Sequence, residues 1–310
     1  MTVIVCGSVA YDNVMVFPGR FRDHILPDRI HMLNVAFLVP SLRRNFGGCA
    51  GNIAYNLGLL GVRGLPMATV GRDFGAYADW MRMTGVDDSQ VRVIDDEYTA
   101  QAFITTDLDD NQITAFHPGA MNHSQLNRVT QVQDCTLGVV APDGRQGMVE
   151  HATQFAEAGI PLLFDPGQGL PMFDGPELLE FIGKATWVAV NDYEGQLLSE
   201  RTGLTHREIA SRVRALVVTR GAEGSVIHAD GREYSIPAAR PDAVTDPTGC
   251  GDAYRAGLVY GLQHGLDWET TGRVASLMGA IKVAHPGTQS HSFSQDEFRD
   301  RFRAAFGRAL

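Results

Sequence analysis

The sequence is short of three things, and each shortage removes a class of protein. No apolar run approaches the ~20 residues that a membrane-spanning helix needs. No basic leader or cleavage-type site precedes the first apolar run, Val3-Ile4-Val5-Cys6-Gly7, so a cytoplasmic protein is expected. Only four cysteines occur, Cys6, Cys49, Cys135 and Cys250; they are scattered, with no C-x-x-C pair, which argues against a disulfide framework or a zinc site. Basic residues are outnumbered, 26 Lys and Arg against 36 Asp and Glu, for a net charge of -10. A nucleic acid or an anionic membrane surface selects for a basic face, so neither is expected as a partner. What is present is an ordinary globular composition: 310 residues, 44% hydrophobic and 20% charged, enough to bury a large core in one main domain with a smaller appendage.

Short apolar runs at 137–141, 161–165, 186–191 and 216–219 read as strands, and the segments between them are long enough for crossover helices. The expected fold is a doubly wound α/β core, a mainly parallel sheet with helices on both faces. Residues 98–116 behave differently. The runs Tyr98 to Thr106 and Gln112 to Phe116 flank the polar turn Asp107-Leu108-Asp109-Asp110-Asn111, the pattern of a hairpin outside the main sheet. With no internal repeat, low-complexity tract or linker, residues 1–310 are expected to form one domain.

The most informative stretch is Asp246-Pro247-Thr248-Gly249-Cys250-Gly251-Asp252, running into Ala253-Tyr254-Arg255-Ala256-Gly257-Leu258. Two glycines before a helix let backbone N–H groups close on a phosphate, and the positive end of the helix dipole stands behind them. Asp252 is placed to take the proton of an attacking hydroxyl. The same residues also read as a glycine-rich helix start with Asp252 as its cap. A second segment, Gly47-Gly48-Cys49-Ala50-Gly51-Asn52-Ile53-Ala54, brings a tight glycine approach and an amide that can donate and accept at once, which suits a vicinal diol. Here too a plainer reading stands: Asn52 caps a helix carrying Ile53, Leu57 and Leu60 that ends at Gly61.

Together the two segments resemble the paired signatures of the ribokinase-like, or PfkB, family of carbohydrate and nucleoside kinases, and the likeness runs over essentially the whole chain. The resemblance implies an ATP-dependent phosphotransferase with a small β lid, here built from about 14–45 and 97–117. It implies Asp252 as general base, with Gly249, Cys250 and Gly251 as the anion hole. Ser8, Asp12, Gly48 and Asn52 fall where the family binds its acceptor, although Asp12 and Asn13 also read as a turn. Asn191-Asp192-Tyr193-Glu194 is similar to the family's N-x-x-E element, whose glutamate organises the waters of Mg²⁺; taken alone, Glu194 is a first-turn acid suited to the helix dipole. Thr219-Arg220-Gly221-Ala222-Glu223-Gly224 matches the family's T-x-G-x-x-G turn that packs on ATP, with Thr219, Gly221 and Gly224 as contacts; taken alone, it also reads as an ordinary turn between two strands. A K⁺ ion is also implied, held by Asp246 and the carbonyl of Thr248 together with carbonyls from 285–287, unless Asp246 simply braces the loop. Pro247 and Cys250 depart from the family pattern and put details of the anion hole in doubt, not the base.

The expected reaction is transfer of the γ-phosphoryl group of ATP to a primary hydroxyl of a ribose-containing acceptor. The text of 6–12, 45–57 and the hairpin looks most similar to bacterial proteins regarded as adenosine kinases, so adenosine is expected, with a free sugar such as ribose or fructose as the alternative. Phe37, Phe103 and Phe116 are the candidates to stack on a purine, with Phe103 counted among the substrate-binding residues, although aromatic residues on strands also read as core. A silent binding protein on the same fold is the third reading, and a monomer and a homodimer are both open.

Overall fold

The computed structural model describes residues 2–25, 34–109 and 111–310. Its larger sheet has nine strands, and their chemistry follows from position. The interior strand β1 (Thr2–Cys6) lies parallel to β4 (Arg63–Gly71) on one side and β8 (Cys135–Val140) on the other. Beyond β8 come β9 (Leu162–Phe164), β10 (Trp187–Asn191) and β11 (Ala215–Thr219), all parallel, and then β12 (Ser225–Ala229) and β13 (Arg232–Ile236), each antiparallel to the strand before it. β5 (Val91–Ile94) closes the other edge beside β4.

Strand side chains alternate, so β1 serves two cores at once. Val3 and Val5 face one cluster with Ile53 and Leu57 of α1 (Cys49–Leu59), Leu258 of α7 (Cys250–Gln263) and Ala275 of α8 (Trp268–Val283). Ile4 and Cys6 face the other, with Phe155 of α3 (Arg145–Glu157), Phe181 of α4 (Gly175–Lys184), Leu198 of α5 (Asp192–Thr202) and Ile209 of α6 (His206–Ala210). Burial on both faces is why these strands read as continuous apolar runs instead of alternating ones. Two helices complete the set, α2 (Gly75–Thr84) and α9 (Gln295–Phe306). Among the described residues no helix is long and apolar enough to cross a membrane.

The second, smaller sheet has the order β3-β2-β6-β7, from β2 (Ala10–Val16), β3 (Ser41–Gly47), β6 (Ala100–Thr106) and β7 (Gln112–His117). β6 and β7 pair as the expected hairpin, from Gln101 opposite His117 to Thr106 opposite Gln112. Asp107 closes its turn by accepting from the amides of Asp109 at 3.0 Å and Asn111 at 2.9 Å. Asp110 of that turn, and 26–33 of the expected lid segment, lie outside the described residues. The sheet begins at Ala10, earlier than the expected boundary near Val14. Asp12 and Asn13 therefore sit in a strand and not in a turn, because β3 and β6 supply ladder partners for their backbone groups: Asp12 lies opposite both Asn45 and Ala102.

Candidate active site

The carboxyl ends of the parallel strands, where open α/β sheets bind ligands, gather most of the residues singled out above. Ser8 follows β1. Its hydroxyl accepts from the Cys49 amide at 3.1 Å and its carbonyl from the Ala50 amide at 2.9 Å, so Ser8 caps α1 from outside the helix. Gly48, with φ +85°, lets the chain pass this closely; a Cβ there would stand 2.6 Å from the Ser8 carbonyl oxygen and 2.7 Å from the Ala10 nitrogen.

Asn52 lies inside α1, whose N-cap is Gly48, so the capping reading fails. Its side chain instead crosses to another helix. Nδ2 donates to Asp252 Oδ2 at 2.8 Å, and Oδ1 accepts from Gln289 Nε2 at 2.9 Å. Gln289 is held in turn by Trp80, whose Nε1 donates to Oε1 at 2.8 Å, and by the Tyr77 hydroxyl at 2.7 Å from Nε2. This chain fixes which way the amide faces Asp252. Gln289 was missed by the sequence reading; it belongs to no local pattern, and only its buried position marks it.

α7 begins on Gly249, at φ +79°, with no side-chain cap. Cys250 N donates to the Pro247 carbonyl at 3.1 Å, closing a turn with Gly249 at the position that needs a positive φ. This corrects the expected anion hole: the Cys250 amide is already used by the turn. The amides of Gly249 and Gly251 have no partner among the described residues. A Cβ at Gly251 would meet nothing within 4 Å, so the first turn of α7 faces open space.

Asp252 does not cap α7 either; its carboxylate turns toward Asn52. Desolvation pushes its pKa up to about 7, with Asp165 adding to the rise and Asn52 and Arg255 opposing it. Burial likewise pushes the Cys250 thiol up to about 11 and holds the Cys49 thiol well above its ordinary value, so both stay protonated space-fillers.

Two charged residues escaped notice. Arg255, one turn along α7 and almost fully buried, donates from a guanidinium nitrogen to Asp165 Oδ1 at 3.0 Å and lies 3.9 Å from Glu194 Oε2. Asp165 follows β9, and a carboxylate just past an apolar strand was a readable signal; Arg255 is the one charge in the helical run Ala253 to Leu262. Glu194 and Asn191 form a reciprocal capping box at the start of α5, with both hydrogen bonds at 2.8 Å. Desolvation first, then the Asp165 charge, raise the Glu194 pKa. Thr219 stands beside Asn191 in the β10–β11 register, and its hydroxyl donates to the Val190 carbonyl at 3.4 Å. Gly221 (φ +54°) and Gly224 (φ +90°) shape the turn to β12, and the Ser225 hydroxyl there meets the Tyr254 hydroxyl at 2.7 Å, tying this turn to α7.

On the small sheet, the Asp12 carboxylate packs on Gly47, where a Cβ would overlap it. Burial, and secondarily Asp246, push Asp12 up to about 6. The register decides between the aromatics. Phe103 lies opposite Asn13, whereas Ala102 lies opposite both Asp12 and Phe116. With a two-residue period, Phe116 shares the face of Asp12 and Phe103 occupies the other face, against expectation. Phe37 is engaged elsewhere, its ring centroid 4.8 Å from that of Phe17 and 4.9 Å from that of Phe21.

The expected K⁺ ligands are differently employed. Both Asp246 carboxylate oxygens accept from amides, Thr248 at 2.9 Å and Gly287 at 2.8 Å, so the residue does brace its loop. Its carbonyl, and that of His285, accept from the ammonium of Lys282.

A family model described as pfkB family carbohydrate kinase matches residues 9–295. The nucleoside kinase of Burkholderia thailandensis, solved in complex with inosine, is 53% identical, covers 99% of either chain and superposes with a TM-score of 0.91; its ADP-inosine complex gives 55% and 0.88 over 99% of this chain and 97% of that one. The nucleoside kinase of Methanocaldococcus jannaschii is 30% identical over 270 residues, 86% of this chain and 89% of its own. One family model thus accounts for nearly the whole chain, and the protein belongs to the pfkB family of carbohydrate kinases, phosphotransferases whose acceptor is a hydroxyl group.

Proposed function

We propose that this chain is a nucleoside kinase that transfers the γ-phosphoryl group of ATP to the primary hydroxyl of a purine nucleoside, accepting both adenosine and inosine. The observation that carries the reading is the Asn52–Asp252 hydrogen bond at the open first turn of α7, where a carboxyl group of pKa about 7 lies beside free helix-start amides. High identity to a nucleoside kinase solved with inosine and with ADP-inosine supports the acceptor class. Phe116, on the Asp12 face of the lid, is the ring best placed for a base.

Chemistry follows from these positions. The amides of Gly249 and Gly251, backed by the α7 dipole, receive phosphate charge without a lysine. Asn52 holds Asp252 Oδ2, leaving Oδ1 to accept the proton of the attacking hydroxyl. Asp12, as a carboxylate, accepts from sugar hydroxyls on the opposite side. Thr219 and the glycines at 221 and 224 form the wall for the nucleotide. Among the described residues no cluster of three His, Cys, Asp or Glu is set to hold a metal. Mg²⁺ needs only one or two carboxylates beside phosphates and water, and Asp165 and Glu194, two carboxylates against the single Arg255, have the surplus negative charge to fit it. Held there, the ion would neutralise charge on the phosphates. Closing of the small sheet over the acceptor would exclude water and limit ATP hydrolysis.

ADP release from MgATP, measured with adenosine, inosine, ribose and fructose as separate acceptors and repeated with Asp252→Asn, tests the reading. Turnover with the two nucleosides that collapses in the variant is expected. Turnover only with a free sugar would keep the mechanism and replace the acceptor. Bound nucleoside with no ADP formed would make the protein a silent binder.

A further inference from the structure

Lys282 sits one residue before the end of α8 and is fully buried, with 0% of its surface exposed. An ammonium out of water is costly unless its donors are met. Here they are met mainly by backbone: Nζ donates to the carbonyl of Asp246 at 2.6 Å and to that of His285 at 3.2 Å. The Asp246 carboxylate adds negative charge nearby while its oxygens stay bonded to the amides of Thr248 and Gly287. Converging carbonyls plus a neighbouring carboxylate are the surroundings a weakly hydrated monovalent cation takes, and the side chain brings that charge on a tether.

The two carbonyls belong to two loops that build the site. Asp246 opens the turn that presents Gly249 and Gly251. His285 opens the loop that carries Thr288, packed 3.0 Å from where a Gly249 Cβ would lie, and Gln289, the partner of Asn52. Repulsion between inward-facing carbonyls and the Asp246 charge would splay these loops if nothing positive lay between them.

We propose that the Lys282 ammonium stands in for the monovalent cation that the resemblance to ribokinase-like enzymes implies, so that phosphoryl transfer by this protein neither needs nor responds to K⁺. Lys282 is a positioning residue: it touches no reacting atom and acts through the Asp246 and His285 loops on the free amides and on the Gln289–Asn52–Asp252 chain. Burial, opposed by the Asp246 charge, lowers the Lys282 pKa from its ordinary value, and the two carbonyls within hydrogen-bonding distance of the ammonium carry the assignment.

The test compares wild type, Lys282→Ala and Lys282→Met in tetramethylammonium buffer, with KCl raised at constant ionic strength. Two quantities are read: turnover with the acceptor the enzyme uses, and the melting temperature of the ligand-free protein. Wild type is expected to be flat in both. Lys282→Ala, which leaves room for an ion, should lose about tenfold or more in kcat through misplaced loops, recover with K⁺ but not Li⁺, and melt higher as K⁺ rises. Lys282→Met fills the same space without charge, and K⁺ should not rescue it. Several-fold activation of wild type by K⁺ would overturn the proposal, as would a Lys282→Ala protein that is fully active without K⁺ or equally insensitive to K⁺ and Li⁺. If no acceptor is turned over, the nucleoside-kinase reading fails by itself, and the melting series on ligand-free protein still decides the role of Lys282.

Discussion

Six helix starts in this molecule fall into two kinds. α4, α5, α6 and α9 begin on Asp174, Asn191, Thr205 and Ser294, each in a reciprocal capping box with a glutamate three residues on. α1 and α7 begin on Gly48 and Gly249, both at positive φ and neither with a side-chain cap. A capped start satisfies its own amides and needs nothing more, whereas a glycine start leaves them for something else. In α1 that partner is Ser8, from outside the helix; in α7 part of the set stays free. The uncapped starts also release the polar side chains at Asn52 and Asp252 to meet each other. Stability was surrendered at α7 and retained at α5, although both border the same site.

Five changes would break or sharpen that contrast. The largest effect is expected from Asp252→Asn, which removes the proposed base and should lower kcat by about 10²–10⁴-fold. Its pH dependence has a definite sign. With the wild-type group near 7, log kcat/KM should climb with unit slope below that pH and level above it. Stability moves the other way: the folded pKa lies above the unfolded value of about 3.9, so the group favours folding at low pH and that contribution is lost as pH rises through 7. The melting temperature of Asp252→Asn relative to wild type should therefore increase from acid to mildly alkaline pH, measurable by calorimetry.

Gly251→Ala comes next. The new methyl enters the open space in front of α7, so kcat/KM for ATP should fall by about 10²-fold, while the melting temperature should hold or rise, since Ala suits a helix better than Gly by roughly 0.5–1 kcal/mol. A stable, inactive variant would show that the bare start serves the ligand and not the fold. Phe116→Ala should raise the KM for nucleosides several-fold and leave that for ATP alone, whereas Phe103→Ala should change neither; the reverse result would place the base on the other face of the small sheet. The smallest kinetic effect is expected for Asn191→Ala. Losing its box should cost about 1 kcal/mol in urea unfolding, with a minor change in turnover, because Glu194 and Arg255 remain.

How far the sequence could be read depended on how local each signal was. β8 to β11 were visible because strands buried on both faces are apolar throughout. The hairpin of β6 and β7 was visible because its turn is polar and its arms alternate. The extent of the small sheet was not, since the ladder that turns Asp12 into a strand residue comes from residues far along the chain. Phe103 was preferred over Phe116 because both are aromatic residues in the same hairpin, and face is a matter of register. Cys250 looked like one more free amide until Pro247 was seen to accept from it.

Taken alone, the sequence determined the fold class, the two glycine motifs and the carboxylate proposed to react, because hydrophobic period, glycine spacing and a helix start are all written within a dozen consecutive residues. The tertiary structure alone decided how Asp252 is used. Its Asn52 partner is 200 residues away, Gln289 and Asp165 reach the cluster from other elements, and Arg255, on the same helix as Asp252, ties Asp165 to it. Lys282 is the clearest case: a lone lysine near a helix end reads as surface charge, and only folding surrounds it with carbonyls. A hydrogen bond or a desolvated charge depends on distance in space, which no local pattern encodes.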